Sequence, residues 1–376
     1  MNWAPHNHTV LTQLIRENGR GSPGYDPKRP PYAVFDWDQT SAFLDCGDVI
    51  FRYQLWNFGL RLSKDELRAH LQDEINGVSA LAGAQAIKLA DIHADIVSHY
   101  ANLLDRRKDG LDALRATPEF LDFYSKMLCI YDAYGDTAGI GTEYSYTWAL
   151  SFLANYSEDE IRGIARTAIR GQLADSLSQV TVKGPAALKT KAGPIETTYR
   201  TGLRVHPEMQ ELMASLRAAG IDVYVVSASL KQIVEVFAGP GEFGYGVPRD
   251  HVIGMELDVQ NGRFTTAYKP GWVKIQKAGK TEAIQRVLAG RGAPILACGD
   301  SDGDFEMLSA LDGTKVSLIL NRIKGGKIGA LCKMAAEERT APRPRYLLQG
   351  RDENTGLFVP REETIPFGGS EARLLK

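Results

Sequence analysis

Cysteine is scarce. The 376-residue chain has four, Cys46, Cys129, Cys298 and Cys332, with no C-x-x-C pair among them. That is too few to staple a chain of this size, so free thiols are expected. The seven histidines form no H-x3-5-H pair beside cysteines, which excludes a structural zinc reading. No apolar stretch approaches the ~18 residues of a membrane span. The opening MNWAPHNHTVLTQLIRENG lacks a basic stretch followed by an apolar one, as a signal peptide would have. As it stands the chain reads as cytoplasmic, the alternative being a periplasmic protein whose signal has been removed. An excess of one charge is also missing. Lys plus Arg number 44 against 46 Asp plus Glu, so bulk charge recruits neither nucleic acid nor an anionic membrane. Any anion must be held by a local site. With 44% hydrophobic and 24% charged residues, the composition is that of a globular protein that buries its core without staples.

What is present falls into three stretches. A short helix around residues 9–17 and a Gly/Pro-rich connection lead to Tyr32-Ala33-Val34-Phe35, an apolar run that suits a buried strand of a parallel sheet. From Ser41 to about residue 200 the periodicity turns helical. Ser63 with Glu66, and Ser157 with Glu160, make capping-box signatures, and residues 81–105, 119–128 and 157–173 read as helices. From Val205 strands and helices alternate again: helix 207–219, strand 222–226, helix 229–237, strand 252–256, a hairpin turn at Asn261-Gly262, helix 281–288, strand 294–298, helix 305–311 and strand 315–320. The expected fold is α/β, a Rossmann-like, doubly wound parallel sheet with an inserted helical cap. Residues 1–40 and 201–325 form the discontinuous core and 41–200 the cap. Residues 326–376 are an extension without an assigned role, in which 345–349 and 356–361 could form a hairpin.

The chemistry-bearing residues lie at or near the carboxyl ends of the core strands, where open α/β sheets bind ligands. Asp36 and Asp38 follow the first strand, Ser227 follows Val223–Val226, Asp300 and Asp304 follow Ile295–Cys298, and Lys280 opens a helix. Two aspartates one residue apart can divide their labour: one attacks phosphorus while the other keeps a proton for the leaving group. Asp300 adds a carboxylate for Mg²⁺, a hard cation that takes oxygen ligands. Ser227 offers a hydroxyl to a phosphoryl oxygen, the helix after it offers free N–H groups, and Lys280 neutralises charge.

In this order D-x-D-x-T (Asp36 to Thr40), strand–Ser (Ser227), Lys280 and G-D-S-x-x-D (Gly299 to Asp304) resemble the four motifs of the haloacid dehalogenase superfamily. The insertion between the first two motifs is similar to the phosphoserine-phosphatase-like subgroup. Residues 194–199, 222–229 and 252–254, and the run ending Leu320-Asn321-Arg322, resemble bacterial phosphorylcholine phosphatases. The resemblance implies a Mg²⁺-dependent phosphomonoester hydrolase with Asp36 as nucleophile and Asp38 as acid/base. It implies phosphate contacts from Thr40, Ser227, Ala228 and Lys280. Metal ligands would come from Asp36, the Asp38 carbonyl and Asp300, with Asp304 behind them. Gln39 stands where Gly, Asn or Ser is common, and Gly303 where Asn often precedes the last aspartate.

Between Phe120 and Tyr156, 37 residues hold ten aromatics, where about three would follow from the chain's 9% aromatic content. Most of these rings belong in a cap core. Yet Tyr131, Tyr134, Tyr144, Tyr146 and Trp148 also have the character of a quaternary-ammonium site, with Asp132, Asp136 and Glu143 close in sequence. The expected partner is therefore a small phosphomonoester, phosphocholine or a similar cationic one. The alternatives are phosphoserine, for which Arg52 or Arg106 could bind the carboxylate, transfer of the phosphoryl group to another alcohol, and a phosphate- or metal-binding module without turnover.

Overall fold

The computed structural model describes residues 1–72, 87–137 and 140–376. At its centre is a six-stranded parallel sheet: β1 (Tyr32–Phe35), β2 (Asp222–Leu230), β3 (Val252–Met255), β4 (Leu296–Gly299), β5 (Val316–Leu320) and β6 (Tyr346–Gln349), in the order β6-β5-β4-β1-β2-β3. All four residues of β1 are buried, as are those of β3, β4 and β6 and all five of β5. Strands covered on both faces need apolar side chains at every position, which is why they read as continuous runs rather than alternating ones. The chain lays down β1, β2 and β3 towards one edge and then returns to place β4 on the other side of β1. Ala33 accordingly pairs with both Val223 and Leu296. That reversal opens a crevice at the carboxyl ends of β1 and β4.

Flanking helices cover the sheet. Pro207–Ala218 and Lys231–Ala238 pack against β2, while Pro5–Asn18 and Gly326–Glu338 pack against β6. The helix after β2 starts at Lys231, two residues beyond the expected start, because β2 continues through Leu230. The Asn261-Gly262 turn forms as expected between Leu257–Gln260 and Arg263–Tyr268, with both turn residues at positive φ.

The inserted segment leaves along Ala42–Phe43 and comes back along Arg204–Val205, and these two short strands pair antiparallel. Its helices include Cys46–Trp56, Lys64–Gln72, Leu89–Asp105, Pro118–Asp136, Gly141–Ser151 and Glu158–Ala174. Both expected capping boxes are present: Ser63 and Glu66 bond reciprocally, as do Ser157 and Glu160. The part of the expected 81–105 helix before residue 87 lies outside the described residues. A second apolar cluster, built on Phe51, Tyr100, Phe123, Met127 and Trp148, gives the cap its own core. Within it the fully buried Lys126 ammonium is bonded by Asp95, Asp122 and Thr190, so two carboxylates compensate its charge and a hydroxyl takes a third bond.

The insertion is not wholly helical. Ser178–Lys183 and Glu196–Thr201 form an antiparallel ribbon whose first strand alternates between half-buried and exposed residues and is too polar to read as a core strand. Helix Glu158–Ala174 buries Ile161, Ala165 and Ile169 in the apolar cluster of the main sheet.

The segment 326–376 also differs from expectation. Tyr346–Gln349 is no hairpin arm but the sixth strand of the core, parallel to β5 and wholly buried. The hairpin forms one step later, between Arg351–Asp352 and Leu357–Phe358. The amino-terminal helix locks onto β6: Ala4 N–H donates to Gln349 Oε1 at 2.9 Å, and Asn7 Nδ2 donates to Leu348 O at 2.9 Å. Among the described residues no helix is long and apolar enough to cross a membrane.

Candidate active site

The crevice at the carboxyl ends of β1 and β4 is a cavity of about 530 Å³. Its walls include Asp36, Asp38, Ser227, Ala228, Lys280, Asp300 and Asp304, so residues from four separate parts of the chain converge as the motifs require. Asp36 is the first residue past β1. Its N–H still donates to Cys298 O at 2.9 Å, extending the sheet's register by one bond and fixing where its side chain points. Asp36 Oδ1 accepts from Lys280 Nζ at 2.6 Å, and Oδ2 from Thr40 Oγ1 at 2.8 Å.

Thr40 lies beneath the cavity rather than on its wall. Wholly buried, it reaches Asp300 Oδ1 at 3.0 Å as well as Asp36. It therefore joins the two strand ends as a spacer between carboxylates. Asp304 supports the same group: its Oδ1 accepts from Lys280 at 2.6 Å, while Oδ2 accepts from the Asp300 N–H, the Ser301 N–H and the Ser301 hydroxyl.

Asp38 has different surroundings. Its Oδ1 accepts from the Cys46 N–H at 2.7 Å, at the start of helix Cys46–Trp56, and its Oδ2 accepts from Ser229 Oγ at 2.6 Å. Ser227 Oγ stands 3.5 Å from the same oxygen. The β2–β3 register breaks between Val226 and Leu230, so Ser227 and Ala228 lie where β2 parts from its neighbour and line the cavity.

The electrostatics follow from burial. Desolvation pushes Asp36 well above the usual carboxylate range, and Asp304 adds to the shift while Lys280 opposes it. Burial also raises Asp38, against the Cys46 amide and the Ser229 hydroxyl. Burial would raise Asp300 too, but the Arg322 and Lys324 charges overcome it and bring the group down to about 2. For Lys280 burial favours the neutral amine, yet Asp304 and Asp36 outweigh it and hold the ammonium charged.

Oxygens of Asp36, Asp300 and Asp304 lie within 4.8 Å of one another. Three carboxylates face Lys280, Lys324 and Arg322, whose Nη1 donates to Asp300 Oδ2 at 2.6 Å. An all-oxygen donor set of this kind is what Mg²⁺ prefers. The Asp38 side chain is outside this cluster; the contribution expected of it is its backbone carbonyl.

A second lobe of about 440 Å³ shares Gln39, Asp45, Thr142, Tyr146 and Arg322 with the first. Of the five aromatics with a possible substrate role, only Tyr131 and Tyr146 line it. Their rings stack with centroids 6.3 Å apart, and Tyr131 OH donates to Asp48 Oδ1 at 2.6 Å. Tyr134 and Trp148 are buried in the cap core, packed edge to face at 5.2 Å, and Tyr144 packs edge-on against Tyr134. Along Gly141–Ser151, Tyr144 and Trp148 are four apart and share a face, while Tyr146 falls between them on the opposite one. Arg52 lines the lobe; Arg106 does not, and pairs with Asp109 on an exposed turn.

The sequence reading overlooked Ser229, Arg322 and the acidic residues Asp45 and Asp48. Ser229 was signalled by its spacing, since a residue two beyond Ser227 along a strand shares its face.

The family model of haloacid dehalogenase-like hydrolases matches residues 137–309. The chain contains a haloacid dehalogenase-like hydrolase domain. The chain is 31% identical over 206 residues to a phosphorylcholine phosphatase of Pseudomonas aeruginosa, covering 45% of this chain and 58% of that protein. It is 29% identical over 104 residues to a chloroplastic phosphoserine phosphatase of Arabidopsis thaliana, covering 27% of this chain and 34% of the other. The chain thus spans about a third of one of these relatives and just over half of the other. A solved protein of unknown function from Anaerococcus prevotii superposes with a TM-score of 0.87 at 28% identity, covering 99% of this chain and 98% of that one. The sheet core, the inserted segment and the carboxyl-terminal hairpin therefore recur together.

Proposed function

We propose that the protein is a Mg²⁺-dependent phosphomonoester hydrolase acting through an aspartyl-phosphate on Asp36. The observation that carries this reading is the contrast between two carboxylates in one cavity. Asp36 is bonded by the Lys280 ammonium and the Thr40 hydroxyl, whereas the Asp38 side chain is bonded by no cation and stands between the Cys46 amide and the Ser229 hydroxyl, where it can exchange a proton with a leaving group. Asp36, the Asp38 carbonyl and Asp300 would hold the metal, with Asp304 bracing Lys280 and the Asp300 loop. When bound, Mg²⁺ supplies the charge that lets an anionic nucleophile approach a phosphate.

The remaining chemistry belongs to the chain. A carboxylate oxygen of Asp36 attacks phosphorus in line, forming one P–O bond as the bond to the leaving alcohol breaks. The Asp38 proton passes to that alkoxide. The Ser227 hydroxyl and Ala228 line the phosphoryl position, and Lys280 offsets the charge. In the second half Asp38 takes a proton from water, whose oxygen attacks phosphorus, and Asp36 leaves as a carboxylate. The cap, closing over the cavity, excludes bulk water from the first half and selects the alcohol.

The preferred substrate is phosphocholine or a similar small cationic ester. Tyr131 and Tyr146 beside Asp45, Asp48, Asp132 and Asp136 make a lobe suited to a cation, and one relative carries that substrate in its name. Phosphoserine is the second reading, favoured by Arg52 in the same lobe and by the name of the other relative.

The test is phosphate release from phosphocholine, phosphoserine, phosphoethanolamine, sugar phosphates and nucleotides, with Mg²⁺ and with chelator. Asp36→Asn serves as the control. Turnover that needs both Mg²⁺ and Asp36, fastest on phosphocholine, is expected. Metal-dependent turnover that favours another ester would overturn the substrate. Phosphorylated acceptor alcohol in place of free phosphate would make the protein a transferase, and binding without turnover would make it a non-catalytic module.

A further inference from the structure

The loop from Asp38 to Leu44 is tightly wound. Gln39 and Leu44 adopt φ of 65° and 66°, in the left-handed region that favours glycine, and the Gln39 N–H donates to Leu44 O at 3.2 Å. Gln39 separates Asp38 from Thr40, so its conformation sets where both side chains point. To these local bonds a residue more than three hundred positions away adds two of its own. Arg351, wholly buried in the carboxyl-terminal hairpin, donates from Nη1 to Gln39 O and from Nη2 to Gln39 Oε1, both at 2.8 Å. The guanidinium lies 4.8 Å from the centre of the Phe43 ring.

Glu353 completes the arrangement. Its Oε1 accepts from Arg351 Nη2 at 2.8 Å, and its Oε2 accepts at 3.1 Å from Arg200, on the ribbon of the inserted segment. Burying a guanidinium is costly, and apolar residues of similar volume often replace a buried ion pair without loss of stability. What the charge adds here is a two-point grip on one strained residue.

We propose that Arg351 is a positioning residue for the phosphoryl-transfer site. It fixes Gln39 in the left-handed conformation and thereby aims Asp38 and Thr40, while Glu353 orients Arg351 and ties it to Arg200. The role in turnover rests on the phosphatase reading above; the grip on the loop does not.

The test compares the parent protein with Arg351→Lys, which can reach only one acceptor. The second variant, Gln39→Gly, adopts positive φ freely but lacks the side-chain bond. Three quantities are read: kcat and KM with Mg²⁺, the melting temperature, and hydrogen–deuterium exchange of peptides covering residues 37–44. The expected result for Arg351→Lys is a kcat lower by roughly 10–100-fold with KM little changed, as misplacement of reacting groups produces. Exchange at 37–44 should rise while the β4 and β5 peptides stay protected. Gln39→Gly should raise exchange at the same peptides without loss of melting temperature.

Parental kcat and parental exchange in both folded variants would overturn the proposal. So would exchange that rises evenly across the sheet, since that marks a merely structural residue. If Arg351→Lys does not fold, Gln39→Gly decides alone. If the parent shows no Asp36-dependent turnover, the phosphatase reading fails, and exchange at 37–44 decides the positioning role by itself.

Discussion

Lys280→Met is the sharpest probe of the site's charge balance. The ammonium is almost fully buried and lies 2.6 Å from both Asp36 and Asp304. Removing one partner of a buried ion pair costs about 3–5 kcal/mol, because the charges left behind have neither water nor a counter-ion. Repulsion alone gives a similar figure. Two unit charges 4.8 Å apart, the outer limit for these carboxylates, repel by about 3.5 kcal/mol at an effective dielectric of 20. At roughly 2–4 °C per kcal/mol for a domain of this size, the metal-free variant should melt about 10 °C below the parent at pH 8.

The sign of the pH dependence follows from the same groups. Without Lys280 to oppose burial, Asp36 is raised further, so the folded variant binds a proton that the unfolded chain releases near pH 4. Its stability then falls as pH rises above that value. Differential scanning fluorimetry at pH 5 and pH 8 reads this directly. The deficit should be small at pH 5 and full at pH 8. Adding Asp304→Asn should recover part of it by removing one of the stranded charges. A deficit that is equal at both pH values, or a melting temperature within about 2 °C of the parent at pH 8, would refute the reasoning.

Further predictions separate the two faces of the cap. Tyr146→Leu should raise KM for phosphocholine by roughly 3–30-fold, the range of a desolvated cation–π contact, with little change in melting temperature. Trp148→Leu should do the reverse, lowering stability by about 2–4 kcal/mol through a core void while KM holds. Burial, reinforced by Asp48, pushes Asp132 up to about 7, so KM for a permanently cationic ester should fall as pH rises from 6 to 8 and the carboxylate ionises. Asp132→Asn should flatten that profile. Lys126→Met should destabilise the cap by about 3–5 kcal/mol, seen as an early unfolding transition of the inserted segment by hydrogen exchange, because Asp95 and Asp122 lose their shared cation.

The cluster of candidate site residues could be read from the chain because its members are local to the ends of short elements. Asp36, Ser227, Lys280 and Asp300 each sit one or two residues from a recognisable boundary, and a parallel sheet brings such boundaries to one edge. Arg322 and Arg351 could not be read that way. A single arginine in a polar stretch carries no sign of burial, and only the tertiary fold brings Arg351 to Gln39. Tyr346–Gln349 was missed as a core strand because two prolines and two arginines precede so short an apolar run. The ribbon 178–183 was hidden for another reason, since Val180 and Val182 alone are apolar among Ser178, Gln179, Thr181 and Lys183. Among the aromatics, composition shows that a cluster exists but not which rings face a cavity. Tyr146 differs from Trp148 in helical phase, and Tyr131 from Tyr134 only in the neighbours packed against each, which cannot be seen in the sequence.

The topology also dictates a timetable for biosynthesis. Residue 33 must pair with residues 223 and 296. When β1 leaves the ribosome it has no neighbour, and it gains none until the inserted segment has been translated. That segment has its own apolar cluster and can condense while β1 waits. The sheet closes only when residues 346–349 emerge and cover β5, a fully buried strand that would otherwise present a naked edge. Distant pairings of this kind slow folding and prolong the exposure of sticky intermediates. Translation that stalls between β5 and β6 should therefore release an aggregating chain, although every residue of the four sequence motifs would already have been made.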